Sequence, residues 1–249
     1  MIYRFDTLTS TNDEARDARY RHGDLILAER QTAGRGQRGH TWISPEGTNL
    51  TFTLVVEPTF LAARDQFLLS EVVALALGDC LDRFGIPTRI KWTNDIYYGD
   101  YKLVGILIEH FYSGSRLQRT LVGIGLNVNQ TEFDPTLPNP VSMRQILQQE
   151  VNRDEVLKTF SEAFAVRYAQ LEQGARERIG HDYRSRLYRL GEEHPFTLAD
   201  RTPIRATIEG VEEGGELILR HADSTRHTYR FKEVEFVVKK AAFRLLLEK

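Results

Sequence analysis

"ERQTAGRGQRGHTW", residues 29–42, carries Gly34, Gly36 and Gly39 in GxGxxG spacing, and the fold turns on the segment after these glycines. A dinucleotide-binding turn needs a strand before the glycines, a helix opening directly on them, and an acidic residue about 20 positions later. The strand is there, since "DLILAER" (24–30) is apolar enough. The helix is not: "HTWISPEGTN" (40–49) is punctuated by Pro45 and Gly47 and has no amphipathic period. The glycines therefore belong to a loop rather than to a Rossmann unit, and Arg35 and Arg38 within it become the feature to explain.

Outward from that loop, the pattern alternates between single helices and runs of strands. "STNDEARDARYRHG" (10–23) reads as a capping box, with Glu14 three positions after Thr11, then a short helix and a glycine stop. "NLTFTLVVE" (49–57) reads as a strand and 65–84 as a long helix. "RIKW" (89–92) is a short strand. "DIYYGDYKLVGILIEHF" (95–111) is a hairpin turning at Gly99 and Asp100, answered after "YSGS" by "LQRTLVGIGLNVN" (117–129). Strands with no helix between them pair antiparallel. Three prolines mark 130–140 as a loop, and helical periods return at 142–149, 154–173 and 176–189. After Gly191 come five strand-like pieces, "PFTLAD", "IRATIEGV", "ELILRHA", "HTYRF" and "VEFVVK", the spacing of a small barrel. The expected class is α/β with a mixed, mainly antiparallel sheet and packed helices in residues 1–188, and then a β-barrel module in 189–240.

Composition narrows the functional classes. The chain has 249 residues, 41% hydrophobic and 27% charged, with a formal net charge of -2, so a global attraction to nucleic acid or anionic membrane is not expected. No apolar run approaches the roughly 20 residues of a membrane span, and the start has no secretory pattern, which makes the cytoplasm the expected location. The single Cys80 lies in the apolar-periodic "LSEVVALALGDCLDRF" (69–84), which excludes an internal disulfide and a cysteine-rich zinc site and predicts a packed thiol. Neither GxSxG nor GxxxxGK[ST] occurs, which argues against a hydrolase elbow and a P-loop.

The remaining polar residues fit recognition of an anionic ligand. Glycine lets backbone N–H groups approach phosphate oxygens, and Arg35 and Arg38 supply guanidinium pairs; the alternative is a solvated basic turn. Trp42 offers a flat face for a purine or belongs to the core. Lys102 precedes the apolar "LVGILIE", where it either neutralises a carboxylate or phosphate or snorkels to solvent. Asn94 and Asp95 either form a turn or serve Lys102 and a magnesium ion. Ser10, Thr11 and Asn12 are a helix cap or the rim of a polar ligand site.

Together, "TSTNDEA" (9–15), "QTAGRGQRGHTW" (31–42), "KWTNDIYYGDYKLVGILIE" (91–109) and "VGIGLNVN" (122–129) resemble the biotin protein ligases, and residues 204–231 are similar to that family's SH3-like C-terminal domain. The resemblance covers most of the chain. It implies a biotin- and lipoate-ligase type of catalytic domain, related in fold to class II aminoacyl-tRNA synthetases. The implied chemistry uses ATP and magnesium to make biotinyl-AMP and then modifies a lysine of a biotin carboxyl carrier protein domain. Ser10, Thr11, Asn12 and Gln31 match residues that bind the ureido ring. Gly34, Arg35, Gly36, Gln37, Arg38 and Gly39 match the loop that covers the ligand, and Lys102 matches the lysine at the reacting carboxylate and phosphate. Trp42 matches an adenine-stacking residue, while Asn94, Asp95 and Asn127 match polar residues around phosphate and metal, with Asp95 the magnesium ligand. Gly105, Ile106, Gly123 and Gly125 match the floor beneath biotin.

The sequence departs from the family pattern in three places. Gln37 occupies a position where the family commonly has arginine, Thr93 replaces the proline of a KWPND motif, and no helix-turn-helix segment precedes the catalytic region. The last implies the class without a DNA-binding domain, acting as a monomer or homodimer without nucleic acid or membrane. The competing readings are a lipoate or octanoate ligase on the same fold and a non-catalytic ligand-binding protein.

Overall fold

The structure is a computed structural model that describes residues 1–39, 41–238, 240 and 243, the side chain of Arg38 lying outside that description. Seven strands build one mixed sheet. They are β1 (Ile2–Leu8), β2 (Leu25–Gln31), β3 (Leu50–Val56), β4 (Arg89–Lys91), β5 (Asp95–Tyr98), β6 (Tyr101–Ser113) and β7 (Arg116–Leu126), in the spatial order β1-β2-β3-β7-β6-β5-β4. β1 and β2 run parallel; β2 to β4 are joined through antiparallel pairings. β1 goes beyond the sequence reading, because it is an edge strand whose residues stay exposed or half-buried and so shows no clear period.

One face of the sheet carries the main core. Helix α2 (Phe67–Arg83) is buried nearly all round, as its apolar run from Leu69 to Leu81 demands. It packs beside α4 (Arg153–Glu172) and α5 (Arg176–Ser185), while α3 (Met143–Leu147) comes after the proline-rich loop with a Ser142–Gln145 capping box. In α4, Val156, Phe160, Ala163, Phe164 and Leu171 form the buried stripe, started by the Asn152 side chain capping the Asp154 and Glu155 N–H groups. The Phe160 ring meets Phe52 of the central strand β3 at 5.4 Å. Burying each of these rings contributes about 2 to 3 kcal/mol. Cys80 is buried in α2, and burial pushes its thiol up to about 12, which leaves it a packing residue.

The expected N-terminal helix is corrected. α1 is a single turn, Thr11–Glu14, and Ser10 precedes it in extended backbone without a side-chain cap. The Thr11 N–H and hydroxyl donate instead to Gln31 Oε1 at 2.7 and 3.2 Å, and Glu14 is taken by the Tyr20 hydroxyl at 2.7 Å. Long-range partners thus replace the local capping pair.

Residues 193–236 form a second, antiparallel sheet: β8 (Glu193–Leu198), β9 (Pro203–Val211), β10 (Leu217–His221), β11 (Arg226–Tyr229) and β12 (Val234–Phe236), in the order β11-β10-β9-β8-β12. All five correspond to the strand-like pieces read from sequence. Its buried Phe196, Ile208, Leu219 and Val234 are continuous with the main core. The Trp92 indole N–H donates to the Gly215 carbonyl at 2.8 Å across the junction. No helix among the described residues is long and apolar enough to cross a membrane.

Candidate active site

The second face of the large sheet builds a cleft, and strand register sets out its floor. Asp95, Gly105, Gly125 and Thr51 lie directly opposite one another across β5, β6, β7 and β3. The next row on the same face is Leu107, Gly123 and Thr53. Three glycines in two adjacent rows leave a strip of bare backbone. The side chains above it approach closely: a Cβ on Gly125 would sit 2.1 Å from Cε2 of the Trp42 indole, and one on Gly105 2.9 Å from its Cζ3. A Cβ on Gly123 would sit 2.4 Å from Asn12 Oδ1. Trp42, matched by resemblance to an adenine-stacking residue, therefore rests on the glycines matched to the biotin floor.

The floor has a polar end and a charged end. At the polar end, the Thr53 hydroxyl lies 2.6 Å from Asn12 Oδ1 and 2.8 Å from the Thr11 hydroxyl. Gln31 accepts from Thr11, and Ser10, Thr11 and Asn12 are each only 3% exposed. Amide and hydroxyl groups gathered at low exposure can serve a ligand carrying both N–H donors and a carbonyl acceptor. At the charged end, Lys102 Nζ lies 2.7 Å from Asp95 Oδ1, and Lys91 Nζ lies 3.9 Å from Asp95 Oδ2.

A bulge aims Lys102. In an unbroken strand residues 102, 104 and 106 share one face, and Val104 and Ile106 belong to the core. The β5–β6 register shifts between Ile96 and Tyr97, so Tyr97 pairs with Lys102. Lys102 thereby comes over the Gly105 face, where its Cε lies 3.4 Å from the place of a Gly105 Cβ. Beside it, the Asn94 carboxamide donates to the Ile106 carbonyl and accepts the Thr93 hydroxyl, across a Trp92–Thr93 peptide that is cis. Asn127 lines the cleft but its Nδ2 donates to the Val141 carbonyl at 3.0 Å.

The glycine loop crosses the cleft. Trp42 N–H donates to the Gly34 carbonyl at 2.9 Å and Arg35 bridges Thr41, so the loop is pinched at its base. Gly34 lies under that pinch, where a Cβ would be 2.4 Å from the Trp42 carbonyl oxygen, whereas Gly36 and Gln37 line the cleft itself. Arg35 also lines the cleft, yet its Nη2 binds Asp13 Oδ1 at 2.7 Å and Glu109 Oε2 at 3.1 Å. The Arg38 backbone lies in the 3-10 turn Gln37–Gly39; its side chain is outside the described structure.

The cleft measures about 490 Å³. Its far wall has no signal in the sequence: Phe231 and, from β12, Val234, Glu235 and Phe236 line it. Lys91 Nζ lies 4.8 Å from the Phe236 ring centroid and 5.5 Å from that of Tyr97. Glu109 is equally silent in the sequence, since it stands after an apolar run with nothing local to mark it. Burial pushes its pKa up, but the Asn12 hydrogen bond and the Arg35 and Arg16 guanidinium groups outweigh burial and hold it below the usual carboxylate range. No three His, Cys, Asp or Glu side chains gather into a metal cage among the described residues, and both Asp95 oxygens face lysines. Without nucleotide, Asp95 is thus an ion-pair partner of Lys102 and Lys91.

The model of the Biotin/lipoate A/B protein ligase family matches residues 2–127. The chain is 37% identical over 205 residues to a biotin--[acetyl-CoA-carboxylase] ligase of Paracoccus denitrificans, covering 78% of this chain and 83% of that protein. It is 34% identical over 175 residues to the bifunctional ligase/repressor BirA of Bacillus subtilis, covering 68% of this chain and 53% of that one. In fold it is similar to the biotin protein ligase of Aquifex aeolicus solved with biotin and ATP, with a TM-score of 0.81 at 24% identity over 94% of this chain and 97% of the other. The chain belongs to the biotin/lipoate A/B protein ligase family.

Proposed function

We propose that the protein is an ATP-dependent biotin protein ligase, which activates biotin as biotinyl-5'-AMP and transfers it to a lysine of a biotin carboxyl carrier protein domain in the cytoplasm. The observation that carries this reading is one cleft with a buried amide and hydroxyl end and a lysine–carboxylate end on the same glycine floor. Each end suits one part of the chemistry. Ser10, Thr11, Asn12 and Gln31 can pair with the N–H and C=O groups of a ureido ring, whereas a plain acyl chain would leave them unmatched.

In the first step a biotin carboxylate oxygen attacks the α-phosphorus of ATP. The new O–P bond forms as the bond to the pyrophosphate oxygen breaks. Two anions must approach, so fixed positive charge is the main demand. Lys102 supplies it at the carboxylate, with Lys91 beside it. Asp95 holds the Lys102 ammonium in place through its 2.7 Å contact. The family resemblance gives Arg38 of the loop a further charge in this role. In the second step the carrier lysine amine attacks the acyl carbon, the C–O bond to phosphate breaks, and AMP leaves as the amine loses its proton. The loop and Trp42 keep water from the anhydride between the steps. Asp95, at the charged end, would be the carboxylate nearest a magnesium ion carried by the nucleotide phosphates, which would supply further positive charge there.

The test is direct. Incubate the protein with ATP, magnesium, a carrier domain and either biotin or lipoate, and read the carrier by mass spectrometry. One added biotinyl group per carrier is the expected result; addition of lipoyl alone, or of nothing, overturns the reading.

A further inference from the structure

Glu109 has no part in the two steps above, yet groups from both ligand-facing segments converge on it. Residue 109 comes after Gly105 and Leu107 along β6, on the face that forms the floor. Its carboxylate accepts Asn12 Nδ2 at 2.8 Å, Arg16 Nη2 at 2.8 Å, and the two terminal Arg35 nitrogens at 3.1 and 3.3 Å. Asn12 belongs to the polar end of the cleft, and Arg35 to the glycine loop.

The balance of charge decides what Arg35 does. Arg35 and Arg16 face Asp13 and Glu109, two cations against two anions, so the cluster is neutral. An arginine so matched presents little field to a phosphate, and what remains is a mechanical tie between loop and sheet. The same carboxylate fixes the Asn12 amide: with Nδ2 turned to Glu109, Oδ1 is left facing the Thr53 hydroxyl and the Gly123 backbone.

We propose that Glu109 is a positioning residue that clasps the glycine loop over the polar end of the cleft through Arg35 and fixes the orientation of Asn12. This rests on the biotin ligase reading for its effect on catalysis, but the clasp itself is a property of the ligand-free protein. The Arg35 and Glu109 side chains are 39% and 22% exposed, so the tie is one of modest strength, and its loss changes loop opening about three- to fivefold.

Two measurements test it on wild type, Glu109→Gln, Arg35→Gln and the double variant. The first is the rate at which thermolysin cuts the ligand-free protein between residues 32 and 43. The second is single-turnover release of labelled biotinyl-AMP without acceptor. Glu109→Gln is expected to speed both about three- to fivefold and to raise KM for biotin. The maximal rate of pyrophosphate exchange stays within about twofold, and the double variant is no faster than Arg35→Gln alone. Glu109→Asp, which keeps the charge, recovers protection from thermolysin; a general loss of packing would not be repaired this way. Wild-type rates in Glu109→Gln, or effects that multiply in the double variant, overturn the clasp. Wild-type protein with no biotin-dependent exchange overturns the ligase reading instead, and the thermolysin arm still judges the clasp.

Discussion

Gly125→Ala isolates the role of the bare floor, because it adds one methyl group where the backbone conformation permits any residue. The new Cβ would lie 2.1, 2.5 and 2.6 Å from Cε2, Cζ2 and Cδ2 of Trp42. To reach ordinary contact the indole must retreat by about 1.3 Å. The equivalent change at Gly105 meets Cζ3 at 2.9 Å and asks for about half an ångström. Trp42 sits on the loop, so it yields, and the fold loses less than about 1 kcal/mol in either variant. The ligand slot has no such freedom. Overpacking of about 1 to 3 kcal/mol falls on the bound state and corresponds to a rise in KM from about fivefold to over a hundredfold, larger for Gly125→Ala than for Gly105→Ala. Biotin-dependent pyrophosphate exchange, titrated separately in biotin and ATP, reads both the size and which substrate is affected. A rise confined to ATP assigns the floor under Trp42 to the nucleotide, and one confined to biotin assigns it to the acyl ligand. Unchanged KM values in Gly125→Ala, or a larger effect in Gly105→Ala, would refute the steric reasoning.

Removing the ammonium in Lys102→Ala costs about 2 to 4 kcal/mol of transition-state stabilisation in adenylate formation, read as loss of pyrophosphate exchange; near-wild-type exchange contradicts the role given to it. Gln37→Arg replaces a neutral amide in the loop with charge-assisted hydrogen bonds and slows release of biotinyl-AMP up to about tenfold; equal or faster release shows that Gln37 is neutral there. The buried Glu71 and the half-buried His110 give opposite pH dependences in urea melts. Burial pushes Glu71 up to about 7, partly offset by Arg184, so the folded state holds the proton more tightly and stability falls as pH rises from 4.5 through 7; Glu71→Gln removes that slope. Burial lowers His110 to about 4, so stability falls as pH drops from 6.5 toward 4, and His110→Gln removes that one. Parallel pH profiles for wild type and both variants would contradict these assignments.

The fold is legible in the sequence where period and punctuation agree. Alternation in 50–56, the Gly99 turn and the five short C-terminal strands are local signals, and the structure has each of them. The hidden part depends on partners far along the chain. Ser10, Thr11 and Asn12 carry the letters of a helix cap, but Thr11 bonds Gln31 and Thr53, 20 and 42 residues away, and Asn12 also bonds Thr53. Lys102 is conspicuous for standing before an apolar run, while the bulge that aims it is a property of the β5–β6 pairing rather than of either strand. Glu109 is marked by nothing local, since its partners Asn12 and Arg35 come from 97 and 74 residues away. The wall supplied by Phe236 is invisible for the same reason, as β12 pairs with β8 and reaches the cleft only once the second sheet is folded.

That wall bears on how the protein comes into being on the ribosome. A nascent chain grows at roughly 5 to 20 residues per second, and N-terminal parts fold first. Once residues up to 185 have emerged, all seven strands and the helices that cover them are available, and the glycine floor, Lys102 and the loop can take their places. The cleft is still open on the side that Phe231, Val234 and Phe236 later close. These come from β12, the last strand among the described residues, and the turn before it, and Lys91 gains the Phe236 ring only then. An unfinished polypeptide can therefore hold most of the proposed catalytic residues in order while lacking one side of the chamber, so competence to retain the proposed anhydride arrives late in synthesis.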